Sequence, residues 1–232
     1  MKKIMVLEDE DSVREFIVLN LKRSGYTIIE TANGDDAIKT FSSEKDIDLV
    51  ILDVMVPGVD GVTVCKEIRT KNSSCGIIML TAKAQEVDKV TAFMSGADDY
   101  LTKPFLISEL IVRVDALFRR INTHQSPGQS SDEIISSPFR LDLKSRTLYK
   151  NNNPLDLTQV EFLIMKHFLE NANIALSRED ILNAVWGRGY YGEIKIVDVN
   201  IRRLRMKIED DPSEPEYIST VWGFGYKWIR KN

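Results

Sequence analysis

The stretch LVILD, Leu49 to Asp53, is a run of apolar residues that ends in a carboxylate. Three other short apolar runs also lead into polar side chains: KIMVL before Glu8 and Asp9, GIIML before Thr81, and the segment that leads to Lys103. Apolar runs without polar alternation are typical of parallel strands buried on both faces. Since such strands end at a common edge, where doubly wound folds hold their ligands, we expect these side chains to meet in one cleft.

The residues around these runs alternate between strand and helix patterns. We predict strands over 3–7, 27–31, 49–53, 76–80 and 99–102, and helices over 12–24, 35–43, 61–70, 85–95 and 108–120. This alternation indicates an α/β fold, in which a parallel sheet is covered by helices on both faces.

The cleft would bring together the carboxylates of Glu8, Asp9 and Asp53. Three carboxylates in one small volume are costly unless a hard cation such as Mg²⁺ neutralises them. A carboxylate beside that ion can attack a phosphoryl group, with Lys103 and the Thr81 hydroxyl facing the phosphoryl oxygens. Each residue alone has a structural explanation, because strand-end Asp and Thr often cap helices and a loop lysine is often merely solvated. Their combination after four strands favours phosphoryl chemistry.

Four motifs join these residues: LEDED (Leu7 to Asp11), ILDVMVPGVDG (Ile51 to Gly61), MLTAK (Met79 to Lys83) and GADDYLTKPF (Gly96 to Phe105). With them, residues 1–121 resemble the receiver domain of bacterial two-component response regulators. The resemblance implies a flavodoxin-like five-stranded sheet in the order 2-1-3-4-5. It also implies that a sensor histidine kinase donates a phosphoryl group to the protein.

The resemblance assigns a role to each residue of the cleft. Asp53 would be the phosphoacceptor and Lys103, before a cis Pro104, would bind the phosphoryl group. Thr81 and Tyr100 would form the switch pair. The Mg²⁺ ligands would be Asp9, Asp53 and the Met55 backbone carbonyl, with Glu8 assisting through water.

Length and composition suit two globular domains: 232 residues, 43% apolar and 28% charged. No apolar stretch approaches the roughly 20 residues that a membrane span needs, and the chain begins directly with a strand pattern rather than a signal peptide. We therefore expect a cytoplasmic protein without a membrane partner. The two cysteines, Cys65 and Cys75, fit a reducing compartment and form no metal-binding pattern.

Residues 122–137, NTHQSPGQSSDEIISS, are polar and contain Pro127 and Gly128, which predicts a flexible linker between domains 1–121 and 138–232. The second domain carries 15 Lys and Arg against 13 Asp and Glu. Such a small excess of positive charge is a weak sign of nucleic-acid binding, so the placement of the charges must decide.

That placement favours a helix over 195–208, which begins KIVDVNIRRLRMK. At about 100° per residue, Val197, Ile201, Leu204 and Ile208 share an apolar face. The opposite face would carry Lys195, Val199, Arg202, Arg203 and Met206, with Asn200 and Arg205 on its flanks. Arginines there could contact guanine or phosphate, and Val199 a thymine methyl, although a solvated basic face is the simpler explanation of the helix taken alone.

The neighbouring segments favour DNA binding. Two amphipathic helices are predicted over 158–171 and 177–186, with capping boxes at Thr158 and Ser177. The segment YISTVWGFGYKW, Tyr217 to Trp228, predicts a hairpin. Residues 138–232 thus resemble the winged helix-turn-helix DNA-binding domain of the OmpR/PhoB class, with a four-stranded sheet expected in 138–157. The resemblance implies that helix 195–208 enters the major groove of promoter DNA and that the hairpin wing reaches the minor groove.

The implied DNA contacts are Lys195, Val199, Asn200, Arg202, Arg203 and Arg205 on the helix and Thr220 and Trp222 on the wing. One position departs from the class: Trp222 stands where the resembling domains often carry arginine. Tryptophan offers only area and one N–H donor, so we expect Trp222 to pack against a sugar-phosphate edge or a neighbouring protomer. RNA polymerase is a further candidate partner by analogy, through the loop Gly187 to Glu193.

The resemblance also implies a phosphorylation-dependent homodimer through the face 87–120. Its cross-subunit ion pairs would be Lys89 with Glu109, Asp98 with Arg113 and Asp99 with Arg120. Phosphorylated Asp53 would draw Thr81 inward and Tyr100 would rotate, which favours the dimer and places two reading helices on tandem DNA half-sites.

Other classes of protein fit less well. A haloacid-type phosphatase needs a second acid two residues after its nucleophile, where this chain has Met55. A flavin binder needs a first loop that accepts phosphate, which EDED would repel. RNA binding would need exposed aromatic platforms on a sheet. A closer alternative is a constitutive DNA-binding protein whose receiver dimerises without phosphorylation; whether Asp53 accepts a phosphoryl group separates the two.

Overall fold

A computed structural model describes residues 1–82, 95–122, 132–190 and 192–231. The chain divides into two compact units, Met1–Phe118 and Arg119–Asn232. Within the described ranges, no helix combines the length and the apolarity that crossing a membrane requires.

The first unit is built around a parallel sheet in the order β2-β1-β3-β4-β5. Its strands are β1 (Lys3–Leu7), β2 (Thr27–Thr31), β3 (Leu49–Asp53), β4 (Gly76–Ala82) and β5 (Asp99–Lys103). Its helices are α1 (Asp11–Arg23), α2 (Gly34–Ser43), α3 (Gly61–Lys71) and α4 (Ile107–Asn122). The predicted fold class, strand order and strand positions are confirmed, whereas the helix predicted over 85–95 falls almost entirely outside the described residues.

The core of this unit explains why its strands contain so few polar residues. Every residue of β3 is buried, as the unbroken run LVILD predicts for a central parallel strand. On one face, α2 and α3 pack Ala37, Val64 and Ile68 against the sheet. The side chains of Asn33 and Asp60 cap these two helices by accepting a hydrogen bond from a first-turn N–H.

The second unit contains two antiparallel sheets and three helices among its described residues. The sheets are β6-β7-β8-β9, formed by Glu133–Ser136, Phe139–Asp142, Thr147–Lys150 and Asn153–Leu155, and β10-β12-β11, formed by Ala175–Ser177, Gly225–Trp228 and Ile218–Val221. The helices are α5 (Gln159–Glu170), α6 (Arg178–Trp186) and α7 (Lys195–Ile208). This is the arrangement of a winged helix, and the capping boxes at Thr158 and Ser177 are confirmed.

Two features differ from the sequence prediction: where the four-stranded sheet begins, and a short strand that the sequence did not predict. The linker was expected to run from 122 to 137, but Glu133–Ser136 form β6 and pair with Phe139–Asp142. The four-stranded sheet therefore begins before residue 138, and only three of its strands lie in 138–157. The second difference is β10, a strand of three residues that joins the predicted hairpin and is too short to show a strand pattern in the sequence.

Candidate functional site

The carboxyl ends of β1 and β3 bring three acidic side chains together. Asp53 is the last residue of β3, and Glu8 and Asp9 directly follow β1, which pairs with β3 in parallel. One carboxylate oxygen from each of the three residues lies within 4.8 Å of the others. Glu8 and Asp53 are buried and Asp9 is exposed, so the cluster opens to solvent on one side. The convergence predicted from the four apolar runs is present.

Lys103, the last residue of β5, places its ammonium group between two of these acids. Lys103 Nζ lies 2.5 Å from Asp53 Oδ2 and 2.6 Å from Glu8 Oε2. Burial lowers the pKa of Lys103, but its hydrogen bonds to Asp53 and Glu8 outweigh burial and hold the pKa above its ordinary value. The lysine therefore stays charged. A single lysine cannot balance three carboxylates, so the cleft remains acidic.

The donor set of the cleft fits a hard divalent cation. Burial raises the pKa of Glu8, with the hydrogen bond from Lys103 opposing the rise. Glu8 Oε1 is buried and has no hydrogen-bond partner among the described residues. An uncompensated buried carboxylate oxygen beside two other acids is a position that Mg²⁺, which prefers oxygen ligands, can satisfy.

The loop after β3 fixes the direction of the Asp53 side chain. The Met55 backbone N–H donates to Asp53 Oδ1 at 3.1 Å, and the Met55 side chain is exposed beside the cleft. The chain then returns so that the Gly61 N–H donates to the Val54 carbonyl at 3.0 Å. A Cβ at Gly61 would lie 1.9 Å from the Asp53 carbonyl oxygen, so only glycine permits this close approach of α3. The sequence motif contains Gly61, but its role is visible only in three dimensions.

Thr81 and Tyr100 occupy neighbouring strands near the cleft. Thr81 follows Leu80, the register partner of Asp53, and it pairs with Thr102 on β5. Tyr100 is half-buried and packs against the core cluster on the α2 and α3 side of the sheet. Their roles as a switch pair stay predictions. The Lys103–Pro104 peptide bond is cis, as predicted.

The predicted ion pair between Asp98 of one subunit and Arg113 of another is wrong. Asp98 is fully buried, and its Oδ2 accepts hydrogen bonds from Arg69 at 2.6 Å and from the Ile77 N–H at 2.8 Å. Arg113 is also buried and binds Asp99 at 2.8 Å and Glu109 at 2.7 Å within its own chain.

For the other two predicted pairs, Lys89 and the side chain of Arg120 lie outside the described part of the chain. Lys89 with Glu109 and Asp99 with Arg120 therefore remain predictions. Within one subunit, however, Arg113 already binds both Asp99 and Glu109. A cross-subunit ion pair to either acid would therefore compete with its bond to Arg113.

The second unit presents α7 as its basic helix. The predicted apolar face is confirmed, because Val197, Ile201, Leu204 and Ile208 are all buried. Lys195 and Arg202 are exposed and Val199 is half-buried, as a DNA-facing surface requires. Three of the predicted contact residues of the helix are thus accessible.

Two other predicted DNA contacts on α7 are wrong because their side chains are buried. Asn200 is 1% exposed and Arg203 is 4% exposed. Asn200 Nδ2 donates to the Ile196 carbonyl at 2.8 Å, and Arg203 donates to Asn200 Oδ1 at 3.4 Å. Both α5 and α6 pack against α7, so its buried arc is wider than a single apolar stripe.

Arg205 holds the hairpin to α7 instead of facing outward. It donates to the Ile218 carbonyl at 2.6 Å and to Thr220 Oγ1 at 2.9 Å, so the predicted contact residue Thr220 is also engaged within the domain. A second link joins the Tyr226 hydroxyl of β12 to Asp198 Oδ1 at 2.7 Å. Burial, reinforced by Asp198, raises the pKa of Tyr226 to about 12, so its hydroxyl remains a donor.

The sequence analysis predicted neither the bonds from Arg205 to the hairpin nor the bond between Tyr226 and Asp198. Asp198 also binds Arg178 at 2.7 Å, which connects the start of α6 to the same network. The five side chains of this network come from α6, α7 and the two strands of the hairpin, so no local pattern could have identified them. Trp222, at the hairpin tip, is 91% exposed.

Comparison with protein families gives two matches that follow the division into units. Residues 4–115 match the model described as the response regulator receiver domain. Residues 152–228 match the model described as transcriptional regulatory protein, C terminal.

Solved structures extend the likeness over the whole chain. A mutant of RitR is 27% identical, with a TM-score of 0.79 and complete coverage of both chains. DrrB of Thermotoga maritima, described as a response regulator and an OmpR/PhoB homologue, is 29% identical, with a TM-score of 0.51 and 99% coverage of both. A two-component response regulator from Clostridium difficile is 31% identical with a TM-score of 0.50, over 53% of this chain and 99% of that one.

Proposed function

The chain belongs to the two-component response regulators of the OmpR/PhoB class, and we propose that phosphorylation of Asp53 by a sensor histidine kinase controls its binding to promoter DNA. The observation that carries this proposal is the convergence of Glu8, Asp9 and Asp53 within 4.8 Å, with Lys103 bound to two of them. Because bacterial promoter DNA lies in the cytoplasm, a protein with this target would act there.

In the transfer, a carboxylate oxygen of Asp53 forms a bond to phosphorus and the phosphorus–nitrogen bond of the donor phosphohistidine breaks. The departing imidazole takes up a proton. Lys103 Nζ, which lies 2.5 Å from Asp53 Oδ2, is positioned to bind the oxygens of the added group. Thr81 supplies a hydroxyl donor at the same sheet edge. The receiver thus promotes its own phosphorylation and dephosphorylation but acts on no other substrate.

Asp9, Asp53 and the Met55 carbonyl would hold Mg²⁺, with Glu8 assisting through water. Bound there, the ion would neutralise the negative charge that accumulates on the phosphoryl oxygens. The chain's own contribution is to hold the acids in place: the Met55 N–H orients Asp53, and Gly61 lets α3 approach the Asp53 carbonyl.

Phosphorylation would then reach the DNA-binding unit through dimerisation. Thr81 moves toward the phosphoryl group, Tyr100 rotates, and the face 87–120 becomes favourable for a homodimer. Two copies of α7 on tandem half-sites raise affinity through effective concentration. Lys195, Val199 and Arg202 are the contacts from α7, and the loop Gly187 to Glu193 is the candidate contact for RNA polymerase.

The first test is phosphorylation by a small donor such as acetyl phosphate in the presence of Mg²⁺, followed by intact-mass measurement. Wild type should gain one phosphoryl group, and Asp53→Asn should gain none. Asp60→Asn is the matched control: this acid caps α3 outside the cluster, so the variant should be modified like wild type. Chelation of the metal should suppress the reaction in both active proteins.

The second test is the molecular mass in solution with beryllofluoride, which stands in for the phosphoryl group. We expect a monomer that becomes a dimer only when Asp53 is intact. Phosphorylation control would be refuted if Asp53 stays unmodified in the first test and beryllofluoride leaves the molecular mass in solution unchanged. That pair of results would favour the constitutive DNA-binding alternative.

A further inference from the structure

The loop that carries two of the clustered acids is fastened by a single arginine. Arg14, in the first turn of α1, donates from its backbone N–H to the Glu10 carbonyl at 2.9 Å. Its guanidinium group donates from Nη1 to the Glu8 carbonyl at 2.8 Å and, over a longer distance of 3.4 Å, to the Asp9 carbonyl. Three consecutive carbonyl groups between β1 and α1 therefore accept hydrogen bonds from one residue.

The other arm of the guanidinium group is also held. Arg14 Nη2 binds the Asp11 carboxylate on the same helix, and the Arg14 side chain is only 16% exposed. Hydrogen bonds from a charged donor are stronger than those between neutral groups. A planar guanidinium group that is bound through both arms has little freedom, so it restrains the backbone to which it donates.

Near Asp9, the loop has no side-chain cap to hold it. Both α2 and α3 begin with a side-chain cap, whereas Glu10, the residue before α1, makes no capping hydrogen bond. The Asp9 side chain is exposed, and no described residue donates a hydrogen bond to its carboxylate. The position of that carboxylate relative to Asp53 therefore depends on the loop backbone that Arg14 binds.

The charge of Arg14 and its geometry have opposite effects on a bound cation. A guanidinium group near three carboxylates repels Mg²⁺, so its charge alone would weaken metal binding. By holding the loop, however, it keeps the carboxylate of Asp9 close to those of Glu8 and Asp53. Removing a group that orients metal ligands typically weakens metal binding by about 10- to 100-fold. The two effects therefore predict opposite signs for a substitution at this position.

We propose that Arg14 is a positioning residue for the metal site, which holds the loop so that the carboxylates of Glu8 and Asp9 lie beside Asp53 before Mg²⁺ binds. The proposal rests on the proposed phosphorylation of Asp53 and deepens it. The hydrogen bonds of Arg14 reach the backbone of Glu8 and Asp9 and leave their carboxylates to the metal. Arg14 thus lowers the Mg²⁺ concentration that the receiver needs, without taking part in the transfer itself.

Binding of Mg²⁺ can be measured without phosphorylation, in the full-length protein. Cys65 and Cys75 are both buried in the first unit, so labelling by a thiol reagent against urea concentration reports the unfolding of this unit. A cation that binds only the folded protein raises the urea midpoint. The dependence of this rise on Mg²⁺ concentration gives the dissociation constant.

Arg14→Ala should raise the dissociation constant of Mg²⁺ about tenfold. At saturating Mg²⁺, its maximal rate of phosphorylation by a small donor should stay within about threefold of wild type, because positioning affects binding of the metal and not the transfer. Arg14→Lys keeps a cation but replaces the planar group that spans the carbonyls and Asp11. Its dissociation constant should lie between those of wild type and Arg14→Ala.

Lys22→Ala is the matched control, because it removes a positive charge and an ion pair from the other end of α1. Its dissociation constant for Mg²⁺ should equal that of wild type. If Arg14→Ala binds Mg²⁺ as tightly as wild type, or more tightly, Arg14 acts only on stability or only through its charge, and the proposal is overturned. If Arg14→Ala is labelled without urea and is therefore unfolded, a wild-type dissociation constant in Arg14→Lys overturns it.

Failure of the proposed function gives a different pattern of results. A wild-type protein that binds Mg²⁺ but never gains a phosphoryl group would refute the proposed function, while the stability measurement would still decide the role of Arg14. A wild-type protein whose urea midpoint does not respond to Mg²⁺ would refute the metal site and the positioning role together.

Discussion

The cleft of the first unit and the basic helix of the second hold buried charges for opposite reasons. In the cleft, Glu8 and Asp53 are buried and form the reactive cluster, and Glu8 Oε1 has no partner among the described residues. On α7, Arg203 is buried and Arg205 directs its N–H groups to the hairpin, while the exposed Arg202 is left for a ligand. Burial alone therefore does not mark a functional charge. What distinguishes the cleft is that three carboxylates converge there at the edge of the sheet, with the ammonium group of Lys103 bound to two of them.

The largest expected effect is on the stability of the first unit, where a mostly buried arginine, Arg69, has a structural role and no part in the cleft. Arg69 binds Asp98 at 2.6 Å and also the Gly96 carbonyl at 2.7 Å. Arg69→Ala leaves the buried Asp98 carboxylate without this partner and should lower the free energy of unfolding by about 3–5 kcal/mol. Lys39→Ala, which breaks an exposed pair with Asp36, should change it by less than about 1 kcal/mol.

Thiol labelling can measure this loss in the first unit specifically. Both cysteines of the chain, Cys65 and Cys75, are buried there, and burial raises the pKa of Cys75 to about 12. Neither thiol should react in the folded protein at neutral pH, so labelling against urea concentration follows unfolding of this unit. Equal unfolding curves for Arg69→Ala and Lys39→Ala would remove the distinction between the two ion pairs.

The next effect separates a functional cation from a structural one. Lys103→Ala should slow phosphorylation of Asp53 by a small donor about a hundred- to a thousandfold, because the phosphoryl oxygens lose a positioned positive charge. The unphosphorylated variant should bind DNA like wild type. Single-turnover phosphorylation followed by mass measurement gives the rate. A loss of less than about threefold would mean that Lys103 only balances the acids of the resting cleft.

Two adjacent arginines test the comparison on α7. Arg203→Ala removes a buried side chain and should lower the stability of the second unit by about 1–3 kcal/mol, with the salt slope of DNA binding, which is the change in log affinity with log salt concentration, unchanged. Arg202→Ala should leave stability within about 0.5 kcal/mol and reduce the salt slope. All three tryptophans lie in this unit, so their fluorescence reports its unfolding. If Arg202→Ala lost stability and Arg203→Ala reduced the salt slope instead, the structural role assigned to Arg203 would be wrong.

The smallest effect concerns pH. Burial lowers the pKa of His167, whose Nε2 has no hydrogen-bond partner among the described residues. The unfolded chain therefore binds this proton more readily, and the second unit should lose stability as the pH falls below about 6.5. His167→Leu should flatten that dependence, whereas substitution of the other histidine, His124→Gln, should not. Urea unfolding at a series of pH values measures it.

The two sites also differ in how far the sequence predicts them. Each cleft residue follows the end of a strand, and a parallel sheet places all strand ends at one edge, so Glu8, Asp53 and Lys103 could be predicted together. On α7, a period of about 100° per residue identifies the apolar face but not how much of the helix its neighbours cover. Contact with both α5 and α6 buries Asn200 and Arg203 as well.

Short elements and close approaches were beyond sequence reasoning. The polar segment before Pro138 contains a four-residue strand that is held by its pairing with β7 and by contacts with distant parts of the unit, such as the hydrogen bond from Trp228 to Ser136. Gly61 is required because α3 passes the Asp53 carbonyl, a contact between backbones that no side-chain pattern encodes.

The bonds from Arg205 and Asp198 to the hairpin bear on how such proteins can be re-engineered. A reading helix transplanted without β11 and β12 would arrive with an unsatisfied guanidinium, and the recipient's hairpin would lack its anchor. Because Asp198 also binds Arg178 and β12 pairs with β10, the smallest exchangeable cassette runs from residue 175 to residue 228. Swaps of operator preference between relatives should succeed when this whole block is moved and fail when only the helix is exchanged.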